Sequence, residues 1–102
     1  MSGPKLTLLQ AAENELRRSA DHYRNVAGTL IAEAFLNKFE ESLALIQDNP
    51  AVGRPISKPG KNLRLLNVRR FPFSVIYRAR EDEIEVVAIA HHRRRPGFWR
   101  GR

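Results

Sequence analysis

The apolar residues of this chain change their period near residue 62. Before that point they recur every three or four positions, and after it they alternate. A period of 3.6 suits a helix buried along one stripe, and a period of two suits a strand buried on one face. The chain must therefore lay a helical half against a sheet half. Ala12, Leu16, Ala20 and Tyr23 line one face of a first helix. Glu13 and Glu15 lie near its start, where the helix dipole favours negative charge. Leu9-Gln10 offers no good N-cap, and Gly28 is the natural break. A second helix is predicted from Thr29 to Gln47. Ile31, Phe35, Phe39, Leu43 and Ile46 form its stripe, widened by Leu30, Leu36 and Leu45; Phe35 and Phe39 read as core. Asp48-Asn49-Pro50 ends the helix, because proline disfavours helix in the residue before it.

Lys5–Leu9 reads as a short first strand. Pro50 to Asn62 is a loop punctuated by Gly53, Pro55, Pro59 and Gly60. Leu63–Val68 is a strand. In the next, Phe73, Val75 and Tyr77 alternate with Ser74, Ile76 and Arg78, and Glu81-Asp82 turns the chain into Ile84–His91. The expected fold is a single α+β domain over residues 1–102. In it an N-terminal strand and an antiparallel helical hairpin pack on one face of a small antiparallel β-sheet. The other sheet face is left wet and basic.

Composition removes several function classes. The chain has no cysteine, so a disulfide framework, a Cys-ligated zinc and a thiol nucleophile are excluded. No apolar run approaches the length of a membrane span. Met1–Lys5 lacks the apolar core of a signal peptide, so a cytoplasmic protein with no membrane partner is expected. The charge is lopsided. Residues 1–62 carry eight lysines and arginines against seven acids, a balance of +1, and residues 63–102 carry ten arginines against four acids, a balance of +6. Arginine forms bidentate bonds to carboxylate and phosphate, so the partner is expected to be acidic: nucleic acid or an acidic protein segment. His91 and His92 are adjacent on a strand and point to opposite faces, so no metal and no cofactor is expected. One is expected to pack under the sheet end while the other bonds backbone. His22 reads as a surface residue. Phe98 and Trp99 beside Arg93, Arg94, Arg95 and Arg100 have the composition of an interface hot spot; the structural alternative is that Trp99 folds back and closes the base of the sheet.

Three segments carry a resemblance. Arg70-Phe71-Pro72-Phe73-Ser74-Val75-Ile76-Tyr77-Arg78, the ending Ala90–Arg102, and the post-helix turn Asn49-Pro50-Ala51-Val52-Gly53-Arg54 resemble, in this order, the motifs of the ParE/RelE toxin superfamily, on its ParE and plasmid-stabilisation branch. The resemblance implies the toxin half of a type II toxin–antitoxin pair, neutralised by a cognate antitoxin that wraps it and reaching operator DNA only through that antitoxin. ParE-like members inhibit DNA gyrase, whereas RelE-like members cut mRNA on the ribosome.

The nuclease chemistry is poorly matched. RelE-like enzymes carry an arginine where this chain has Ser74, lysines where it has Leu65 and Asn67, and a C-terminal tyrosine with no tyrosine counterpart here. Arg94 does correspond, and some relatives use a histidine near His92. The alternative catalytic set is Arg64, Arg78, His92 and Arg94, supplying charge stabilisation and proton transfer. With no catalytic group favoured, Arg69, Arg70, Arg78, Arg93, Arg94, Arg95, Phe98, Trp99 and Arg100 are the expected contacts to target or antitoxin. The leading expectation is a non-enzymatic gyrase inhibitor. The rivals are the ribosome-dependent nuclease and a non-toxic module that binds an antitoxin and aids operator repression.

Overall fold

The computed structural model describes residues 3–56 and 62–102. The loop positions Pro59 and Gly60 singled out above lie outside them. The elements are β1 (Lys5–Leu8), α1 (Gln10–Ala27), α2 (Thr29–Asp48), β2 (Arg54–Pro55), β3 (Leu63–Asn67), β4 (Phe73–Ala79) and β5 (Glu83–His91). The strands form one sheet in the order β1-β5-β4-β3-β2. The β3–β4–β5 meander is antiparallel, as its alternation predicts. β1 joins it in parallel, Lys5 opposite Glu83 and Leu8 opposite Val86, so the sheet as a whole is mixed. The physical reason is the intervening hairpin: α1 and α2 return the chain to the far side of the sheet before the meander starts. No helix among the described residues is long and apolar enough to cross a membrane.

The two helices are separated by Gly28 alone. Its φ of +93° is one that residues with a Cβ rarely adopt. Its N–H donates to the Arg24 carbonyl at 3.1 Å, and its own carbonyl accepts from Ala32 at 3.2 Å, so one residue ends α1 and starts α2. The hairpin closes over an aromatic cluster. Tyr23 of α1 and Phe35 of α2 have ring centroids 5.2 Å apart, and Phe35 lies 5.0 Å from Phe73 of β4. Ala12, Phe35, Phe39, Ile46, Val75, Tyr77 and Val86 complete this buried layer. The expected stripe of α2 is only partly buried: Phe35, Phe39 and Ile46 are inside, but Ile31, Leu30 and Leu45 are exposed.

The other sheet face is not simply wet. Ile76, Val87, Ala88 and Ala90 form a second apolar layer, and Phe98 and Trp99 fold back against it. Between Ile76 and Tyr77 the β4–β5 register slips by one. Val87 is the extra residue, a β-bulge that turns apolar side chains onto this face.

The turn after α2 is locked to β4. The Tyr77 hydroxyl donates to the Pro50 carbonyl at 2.7 Å and accepts from the Gly53 N–H at 2.9 Å. A Cβ on Gly53 would lie 2.7 Å from that hydroxyl, so only glycine fits. The turn then delivers Arg54 and Pro55 to pair with Leu65 and Arg64 of β3. Tyr77→Phe leaves a buried N–H unsatisfied and is expected to cost about 1–3 kcal/mol in urea unfolding. Gly53→Ala is expected to destabilise as well, because the tyrosine must move.

Candidate functional site

A groove of about 1120 Å³ runs across the open face, between β3–β4–β5 and the segment 92–102. Its floor includes Leu63, Leu65 and Val87, and its charged lining is arginine: Arg54, Arg78, Arg94, Arg100 and Arg102. The wall made by residues 92–102 is a run of turns, with Phe98 N–H to Arg95 O, Arg100 N–H to Gly97 O and Arg102 N–H to Trp99 O.

One buried carboxylate holds that wall. β1 covers β5 only as far as Val86, where Leu9 N–H donates to the Val86 carbonyl at 2.9 Å. Beyond it the edge of β5 has no strand partner among the described residues. Glu15 of α1, only 4% exposed, fills the gap. Its Oε1 accepts the Ile89 N–H at 3.1 Å. Arg102 grips both oxygens in a fork, Nη1 to Oε1 at 2.9 Å and Nη2 to Oε2 at 3.1 Å, while Nη1 also donates to the Val87 carbonyl at 3.2 Å. Arg94 donates to Oε2 at 3.1 Å and lays its guanidinium 3.8 Å over the Phe98 ring. The helix dipole accounts for an acid near the start of α1 but not for this role of Glu15. The available signal was its spacing: Glu15 lies three residues after Ala12 and beside Leu16, within the apolar arc.

The expected site residues divide sharply. Arg78, Arg94 and His92 line the groove. Arg64 does not join them: its Nη1 donates to the Gly53 and Ala51 carbonyls at 2.7 and 3.2 Å, bracing the turn after α2. Arg78 is bound to its cross-strand neighbour Glu85, with Nη2 to Oε1 at 2.7 Å. His92 Nε2 lies 3.0 Å from the Ser74 hydroxyl, which itself donates to Asn67 Oδ1 at 2.8 Å. The hydroxyl hydrogen is therefore spent on Asn67, so Nε2 must be the donor to Ser74. His91 packs edge-on against Phe73 at 4.9 Å, and its Nδ1 accepts the Arg93 N–H. Burial holds its pKa below the ordinary value, and Arg93, His92 and His22 push it the same way. The expectation of one histidine under the sheet and one on backbone is met differently: His91 does both, and the His92 ring bonds a side chain. Arg69, Arg70, Arg93, Arg95 and Arg100 are exposed. Trp99 is half-buried and folds back against the second apolar layer, which leaves part of its surface open to solvent.

Comparison with known proteins agrees with this architecture. The family model described as the ParE toxin of the type II toxin–antitoxin system parDE matches residues 6–96. The chain belongs to the ParE toxin family. A solved structure titled as the chromosomal ParDE TA system from P. aeruginosa is 28% identical, with a TM-score of 0.74, and the match covers 86% of this chain and 95% of that one. No curated protein matches. The ParE family match takes in the turn with Gly53, the Tyr77 strand and Arg94, the residues whose contacts are described above.

Removing the Glu15 carboxylate should free the wall. Glu15→Ala orphans two guanidiniums and a buried N–H. It is expected to cost about 3 kcal/mol, the low end for a broken buried pair because Arg94 is half-exposed and can hydrate. Trp99 is the sole tryptophan, so its fluorescence should shift to the red in the same variant.

Proposed function

We propose that this chain is a toxin that acts by binding DNA gyrase rather than by cutting RNA, and that a cognate antitoxin neutralises it. The observation that carries this reading is the prior commitment of the candidate catalytic groups that line the groove. An RNA-cleaving site needs a free base, a free acid and cations aimed at the developing charge. Here Arg78 is taken by Glu85, Arg94 by Glu15 and His92 by Ser74, while Arg64 serves a turn on the other face. Membership of the ParE family and the missing RelE-type lysines at Leu65 and Asn67 support the same choice. The contacts to gyrase are drawn from the exposed arginines and from Phe98, Trp99 and Arg100 on the rim of the groove.

The antitoxin reading rests on the helical side. Leu30 and Val26 are 80% and 66% exposed, and Leu45 and Val52 are also bare. A flexible segment with alternating apolar and acidic residues would cover them and meet the arginines, folding as it binds.

The test is addition of the purified chain to a gyrase supercoiling assay, together with induced expression in cells. Inhibited supercoiling, DNA breaks and filamentous growth with intact mRNA are expected. Codon-specific mRNA cuts mapped by primer extension, abolished by Arg94→Ala and His92→Ala, would instead establish the nuclease.

A further inference from the structure

Two arginine-bearing segments meet at the end of the sheet remote from the β4–β5 turn. One is the β3–β4 turn, residues 68–72; the other is the chain leaving β5, residues 92–95. His92 N–H donates to the Pro72 carbonyl at 2.8 Å and holds the two side by side, while Val68 N–H donates to the Phe73 carbonyl at 2.9 Å and closes the β3–β4 turn. They present Arg69, Arg70, Arg93 and Arg95. All four are exposed, and among the described residues none pairs with a carboxylate, unlike Arg78, Arg94 and Arg102. The acids of this half of the chain are elsewhere. Glu81, Asp82 and Glu83 sit at the opposite end of the strands, and Glu85 is bound to Arg78. Near His22, Asp21 is taken by Arg24 at 2.6 Å. Arg70 also holds a φ of +69°, a conformation unfavourable for a residue with a Cβ and of the kind that persists at functional positions.

We propose that this end of the sheet binds the phosphodiester backbone of nucleic acid through Arg69, Arg70, Arg93 and Arg95. Chemistry selects phosphate over an acidic peptide. A peptide segment is anchored by apolar side chains in pockets, with its charges at the rim. None of the large exposed apolar side chains, Val26, Leu30, Ile31, Leu45 and Val52, belongs to either segment. A phosphodiester backbone needs no such anchor. It needs cations with planar forks, and all four are arginines. This contact does not require gyrase to be the target, although it draws on some of the same exposed arginines, and it departs from the expectation that DNA is reached only through an antitoxin.

Fluorescence anisotropy with a short labelled duplex DNA tests it. The logarithm of the association constant should fall with the logarithm of salt at a slope of about −3 to −4, as four phosphate contacts require. Arg69→Ala with Arg70→Gly, which also relieves the positive φ, should weaken binding about tenfold and flatten the slope by about 2. Arg93→Gln with Arg95→Gln should do the same. Arg80→Glu changes the net charge by the same two units at the other end of the strands, and it should leave affinity within about twofold because its field is screened. A short RNA in place of DNA shows which nucleic acid is preferred, and binding of either supports the backbone contact. Equal weakening by Arg80→Glu would overturn the site in favour of bulk charge. Polyglutamate bound as tightly as DNA would overturn it in favour of an acidic protein, and absence of binding at low salt would overturn it outright.

Discussion

The Glu15 carboxylate is the joint on which this structure turns. It lies on α1, its acceptor oxygens serve the bare edge of β5, and its countercharges come from Arg94 and Arg102 in the last segment. A parallel strand one or two residues longer than β1 would have satisfied Ile89 N–H by backbone pairing. The chain instead enters α1 at Gln10 and completes the ladder with a side chain. Burying a charge that way is costly unless it is paired and fully hydrogen-bonded. Here the carboxylate has a bidentate fork, a third guanidinium contact and a backbone N–H, and no buried side-chain polar atom among the described residues lacks a partner.

That joint also sorts the arginines. Ten of them lie in residues 63–102, and as a bare count they suggest one broad basic surface. The contacts separate them into a structural group and a free group. Arg64, Arg78, Arg94 and Arg102 hold a turn, a strand pair and the wall of the groove. Arg69, Arg70, Arg80, Arg93, Arg95 and Arg100 remain exposed to solvent. Arg78, Arg94 and Arg102, which line the groove, are therefore already paired within the chain.

What was legible in the sequence was whatever repeats. The periods of 3.6 and two located both helices and the three long strands to within a residue or two, because one-sided burial imposes them over many positions. Gly28 and Pro50 marked the breaks for steric reasons local to each. The parallel placement of β1 was not legible: four residues contain no signal for direction, which is set by where the hairpin returns the chain. Nor was the two-residue β2, which exists because Tyr77 draws the Pro50–Gly53 turn against the sheet. The candidate site was half legible. The resemblance carried Gly53, Tyr77 and Arg94 without saying what they touch. The partner of Arg94 stayed hidden, since Glu15 is 79 residues away in sequence, and an acid in the first turns of a helix already has a sufficient local explanation in the dipole.

The most direct measurement of this account is native-state hydrogen exchange at the Ile89 amide. If the Glu15 carboxylate completes the edge of β5, that amide is protected to the same degree as the amides paired between β4 and β5, and Glu15→Ala strips its protection selectively. An Ile89 amide that exchanges in the wild-type chain as fast as an unpaired edge amide would contradict the joint, and with it the fixed wall that separates structural from free arginines.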